Sequence, residues 1–264
     1  MEGFPFNLIL AVATASMTIF IGFLPTKTIR SSFFGMEAFK AALVWVGVSL
    51  AVSQQVMHYY IFFAILCGGS WWQFRNDMAL RGKMWLSVAS GLGISLGGML
   101  ILATTPAYLP MAADTTRHLE LNQMTSLAQM TLISSIYLGG AVIGLAYVTY
   151  ILTTQVSTKS GVTNALVQRY AELLLILALV RAVAVIVAFY TLGHQRSLMA
   201  IDVESTGVIE TGVALGLLLL VMPALAFYVK WASRMASHVQ PTRALVAMIV
   251  LGFVAEVLAR LLVF

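Results

Sequence analysis

Charge is what this chain has least of. Asp, Glu, Lys and Arg make up 9% of its 264 residues, where a soluble domain carries about 25%. A soluble protein of this length would need far more charge to cover its core, so the composition points to an integral membrane protein. Cysteine is almost absent too: Cys67 stands alone, which excludes an intrachain disulfide and a cysteine-based metal cluster. It reads as a small apolar filler at a helix end. There is no nucleotide-binding glycine loop, no low-complexity tract and no clear internal repeat. Lys and Arg are missing before the first apolar run, which carries only Glu2. A secretory signal wants a basic start, so this run is expected to stay as the first helix. The net charge of +5 calls for no nucleic-acid partner, because membrane proteins concentrate Lys and Arg in cytoplasmic loops.

What is present is apolar length. Hydrophobic residues make up 60% of the chain, and a spanning helix needs about 20 of them in a row. Seven such runs can be marked: Phe6–Leu24, Ala41–Cys67, Trp85–Thr105, Leu127–Leu152, Tyr170–Leu192, Gly207–Val229 and Ala244–Phe264. Pro25 and Pro106 close two of them, and Pro223 predicts a kink in the sixth. The expected fold is all-α, a polytopic transmembrane bundle forming one integral membrane domain over residues 1–264. The longest connection, Pro106–Ser126, is too short for a catalytic domain. With seven spans, the even loops hold Arg75, Arg81, Lys83, Lys159, Arg169, Lys230, Arg234 and Arg243. That bias predicts a cytoplasmic N-terminus. Lys27, Arg30 and Lys40 fall on the other side and violate the rule. The Trp71–Trp72 pair beside Arg75 reads as an interfacial anchor.

Polar residues inside apolar spans are costly and must face partners or water. Gln54, Gln55 and His58 share one side of the second run, by their spacing of three and four. Arg181 sits mid-way through the fifth. Glu256 and Arg260 lie four apart in the seventh, in the favourable order for a helical ion pair. A bound haem b would need a facing axial ligand at the depth of His58, and none is found. His118 and His194, with Asp114, Glu120 or Asp202, lack the tight spacing of a metal site. Two readings of the deep polar set stay open. Arg181 and Glu256 could pair simply to hold helices together. Alternatively, His58, Gln54, Arg181, Glu256 and Arg260 could line a quinone pocket: His58 bonds a carbonyl and shuttles a proton, Glu256 relays protons, and Arg181 holds Glu256 or an anionic intermediate. A haem-b cytochrome, a small-solute transporter with Arg181 and Glu256 on its path, and a plain scaffold are the other classes. The glycines of LGGAVIG and of helix three read as close helix packing.

Four stretches carry a family likeness: VLGFVAEVLARLLVF at the end, YTLGHQRSLMAIDVES before it, TTPAYLP followed by LGGAVIG, and IFFAILCGGSWW. Together they resemble the membrane-anchor subunit of dimethyl sulfoxide reductase-type enzymes, in the wider group with polysulfide and nitrite reductase membrane subunits. That family has eight helices, follows its second-helix His with a Leu-Gly-x-Pro turn where Tyr59 and Tyr60 stand here, and has glycines where Ala255 and Ala259 flank Glu256. The resemblance implies a haem-free anchor in the bacterial cytoplasmic membrane. Such an anchor oxidises menaquinol as an exchangeable ligand. Its electrons pass to an iron–sulfur subunit, which feeds a molybdopterin catalytic subunit of an anaerobic respiratory reductase.

Overall fold

The computed structural model describes residues 4–26, 29–51, 54–104, 106–107, 119–120, 126–156, 162–198, 213, 215–235 and 239–262. The described residues are almost wholly helical: α1 (Phe4–Gly22), α2 (Ser31–Ala51), α3 (Gln54–Arg75), α4 (Ala79–Thr104), α5 (Ser126–Gln155), α6 (Asn164–Leu198), a π-helical turn (Leu217–Val221) running into α7 (Met222–Ala232), and α8 (Val239–Leu262). A two-residue antiparallel ladder, β1 (Pro106–Ala107) with β2 (Leu119–Glu120), lies between α4 and α5. Among the described residues, four helices are long and apolar enough to cross a membrane: α2, α5, α6 and α8. The expected all-helical membrane class therefore holds, while a count of seven spans does not follow from helix length and hydropathy.

The largest difference from the sequence reading is in the second apolar run. Ala41–Cys67 is not one helix. α2 ends at Ala51 and α3 starts at Gln54, and the two pack antiparallel. Phe34 stacks on Phe74 (centroids 5.3 Å), Phe39 meets Trp71 (5.5 Å), and Trp45 meets Tyr60 (5.8 Å) and Phe63 (5.2 Å). Apolar length alone cannot show this break. A single long helix would hold Gln54 and Gln55 at bilayer depth, where polar groups are costly. A reversal puts them at a helix end. The start of α2 also lies ten residues earlier than the run suggested, so Glu37 and Lys40 are helical and not part of a loop.

α1 is the central rod. Residues 11–18 are all buried, and the helix touches α2, α4, α5 and α8. Its small residues (Ala11, Ala13, Ala15, Ser16) let neighbouring backbones come close, which is how helices gain packing energy where lipid is as apolar as the side chains. The approach to α5 is the tightest. A Cβ on Gly144 would stand 2.7 Å from the Ala13 carbonyl oxygen and 2.8 Å from the Met17 nitrogen. Those are backbone atoms and cannot swing away. Gly144→Val is therefore expected to cost about 1–3 kcal/mol by overpacking, read as a lower denaturation midpoint in mixed micelles. Gly91→Val, at a glycine with open space around it, should leave that midpoint nearly unchanged. Ser90 adds a polar tie by donating to Thr18 Oγ1 at 2.7 Å.

At Pro223 the helix is irregular and not simply continuous. A proline removes a backbone donor and crowds the carbonyl four residues back. The chain answers with the π-helical turn Leu217–Val221 immediately before Pro223, which stands in the first turn of α7. Asp77 closes the α3–α4 turn with φ of 55°, a conformation Asp tolerates better than most residues. Its carboxylate accepts a hydrogen bond from Ser31 Oγ at 2.7 Å.

Candidate functional site

Ala171, Leu174, Ala178, Val185 and Ala188 form the buried stripe of α6, and Arg181 lies on that stripe. Its opposite face, with Ile176, Leu179, Val183 and Ile186, is exposed and apolar. The helical period thus forces the guanidinium inward. Ala244, Leu245, Met248, Gly252 and Ala255 do the same for α8 and bring in Glu256. Arg181 Nε donates to Glu256 Oε1 and Nη2 to Oε2, both at 2.8 Å. This is the bidentate fork that makes arginine–carboxylate pairs strong and directional. The third helix, α5, supplies Ser135, whose Oγ accepts from Arg181 Nη1 at 2.5 Å. Arg181 is 3% exposed, Glu256 2% and Ser135 0%.

One turn along α5, Gly139 makes room for the carboxylate: a Cβ there would collide with Glu256 Oε1. The space beside the pair is a small void of about 10 Å³, bounded by Ile143, Leu218, Met222 and Gly252. That is close to the volume of one water and no more. Leu218 belongs to the π-helical turn, and Met222 follows it directly, so the irregular turn forms one wall of the charged centre.

A much larger space lies on the outer side of the same two helices. Thr131 and Ser134 of α5, with Leu179, Val180, Val183, Ala184 and Val187 of α6, line an open groove of about 450 Å³. This is within the range of ligand pockets, about 300–1,000 Å³. Ser134 and Val180 are the sequence neighbours of Ser135 and Arg181, so groove and ion pair sit at one level, separated by a helix layer. Thr131 and Thr191 share a hydrogen bond at 3.0 Å.

Of the residues singled out in the sequence, the fold joins Arg181 and Glu256. His58 is elsewhere. It lies in the first turns of α3 and is exposed, with its ring 4.1 Å from that of Tyr59. α3 rests on α2 and α4, whereas the ion pair belongs to α5, α6 and α8. Gln54 and Gln55 open α3 and Arg260 lies near the end of α8, but their side chains fall outside the described residues, as does that of His194. His118, Asp114 and Asp202 also fall outside, and Glu120 is described only as a strand residue. Among the described residues no three His, Cys, Asp or Glu side chains cluster as a metal site would require.

A second buried carboxylate escaped the sequence reading. Glu37 of α2 is 3% exposed. It accepts from Lys40 Nζ at 2.7 Å and from Tyr147 OH of α5 at 3.3 Å. The i, i+3 spacing of Glu37 and Lys40 was the available signal. The apolar run that starts at Ala41 hides it, because the polar residues before that run look like a connection. Ser135 and Gly139 were read only as packing residues, since nothing local distinguishes a small residue under a carboxylate from one under a methyl group. No protein-family model, curated protein or solved structure matches this chain.

Proposed function

We propose that this chain is the quinol-binding membrane anchor of a multisubunit oxidoreductase of the bacterial cytoplasmic membrane. The observation that carries the reading is the placement of a buried Arg–Glu–Ser cluster directly behind an apolar groove that opens sideways on α5 and α6. A quinol is apolar over most of its surface and carries two hydroxyls, and it reaches its site from within the bilayer. The groove offers it an apolar bed with the hydroxyls of Thr131 and Ser134 as polar contacts. Oxidation releases two electrons and two protons. The electrons leave through an iron–sulfur partner that serves a molybdopterin subunit. The protons need an acceptor, and Glu256, held by Arg181 behind the α5–α6 layer, is the carboxylate assigned to relay them. The site is thus centred on the α5–α6 groove and not on His58.

The test fills the groove without touching the ion pair. Val183→Trp is expected to slow oxidation of a short-chain naphthoquinol by the intact complex at least tenfold, with the iron–sulfur and molybdopterin subunits still copurifying. Glu256→Gln is expected to slow it as well. Unchanged turnover in the assembled Val183→Trp complex overturns the groove as the site. A second reading is favoured by the small size, about 10 Å³, of the void beside the pair: the ion pair is a lock between α6 and α8 and nothing more. A variant that removes both charges separates the two, as argued in the Discussion.

A further inference from the structure

The antiparallel α2–α3 hairpin changes which loops share an end of the bundle. Cross-helix contacts fix that end directly. Lys83 of α4 donates to the carbonyl of Leu24 after α1, at 2.5 Å. Ser31 at the start of α2 donates to Asp77 between α3 and α4. Tyr170 of α6 donates to the carbonyl of Phe20, at 2.9 Å. Gln168 of α6 donates to the carbonyl of Ser233 after α7, at 3.4 Å, and Arg234 pairs with Glu172 at 3.3 Å. The α1–α2, α3–α4, α5–α6 and α7–α8 connections therefore gather on one side.

We infer that this end is the surface that meets the anionic headgroups of the cytoplasmic leaflet, with the start of α1 and the end of α8 on the opposite side. Lys27 and Arg30, which broke the charge rule when Ala41–Cys67 was one span, now join the eight basic residues of the other three connections. In the sequence, these four connections and the helical turns that flank them carry ten Lys and Arg against two acidic residues, Asp77 and Glu172. The stretches before α1, around the α4–α5 and α6–α7 connections and at the end of α8 carry three basic and six acidic residues. An excess of Lys and Arg marks cytoplasmic loops, and the cytoplasmic leaflet is the one rich in anionic lipid. Tryptophan places the same end at an interface, while the choice of leaflet rests on the charges. Four of the five Trp residues, Trp71, Trp72, Trp85 and Trp231, lie at this end. Trp72 and Trp231 are exposed, and the Arg75 guanidinium lies 5.7 Å from the Trp71 ring centre. Indoles settle at headgroup level. This inference does not depend on quinol binding.

The test uses single added cysteines, since the native Cys67 is buried. Asn76→Cys lies in the exposed α3–α4 turn and Ala51→Cys at the exposed far end of α2. In intact cells a membrane-impermeant maleimide should label Ala51→Cys and spare Asn76→Cys, with the reverse in inverted vesicles. Thr115→Cys, in the α4–α5 connection, repeats the outer arm should Ala51→Cys fold poorly. Labelling of Asn76→Cys from outside, alone or together with the others, overturns the orientation. For the lipid contact, the purified chain is placed in vesicles containing brominated phosphatidylglycerol or brominated phosphatidylcholine. Tryptophan emission should be quenched more strongly by the anionic lipid. Equal quenching overturns the headgroup contact.

Discussion

Arg181→Met is expected to cost about 3–5 kcal/mol, because it leaves the Glu256 carboxylate buried without a partner. The site has no slack to absorb the loss. The carboxylate fills the space that a Cβ on Gly139 would need, and the void beside it holds about one water at most. The double variant Arg181→Met/Glu256→Leu removes both charges and fills the space with apolar atoms. Buried pairs replaced in this way are often neutral or more stable, so it should recover most of the single variant's loss. Denaturation midpoints in mixed micelles check both. A single variant no worse than the double would mean that the two charges do not depend on each other. The double variant also decides between the two readings of the pair. If it folds, assembles with its partners and oxidises quinol at the native rate, the pair is a lock. If it folds and assembles but turns over slowly, the pair handles protons.

Trp45→Ala is the second large effect. Trp45 is 1% exposed and sits between α2, α3 and α4. Its ring meets those of Tyr60 and Phe63, and its edge lies 3.6 Å from where a Cβ on Gly93 would stand. Truncating a buried aromatic to alanine costs about 3–5 kcal/mol through lost contacts and the cavity left behind. Those contacts hold the hairpin closed, so the loss should appear locally as well as globally. Amide exchange in α2 and α3 is expected to rise more than in α5 and α6. Trp45→Phe keeps an aromatic body in the gap and should recover much of the stability. Equal exchange in all four helices would show that Trp45 does not hold the hairpin.

Membrane residence and the helical class are legible in the residues, because a bilayer leaves few choices: apolar segments long enough to span, with their backbone bonds satisfied internally. The cost of a mid-helix arginine likewise identifies Arg181 as a residue that must find a partner. Its partner, Glu256, lies 75 positions away, and nothing local in the chain specifies which carboxylate the guanidinium will meet. That follows from the packing of α6 and α8 on α5, where Ser135 and Gly139 are small enough to admit both groups. The α2–α3 hairpin is a tertiary decision of the same kind. Twenty-seven residues of apolar sequence fit one tilted helix or parts of two short ones. The interlocking of Phe34, Phe39 and Trp45 with Phe74, Trp71 and Phe63 favours two. Such contacts join residues up to 40 positions apart, out of reach of any helical period, and they set both the place of His58 and the end at which Arg30 lies.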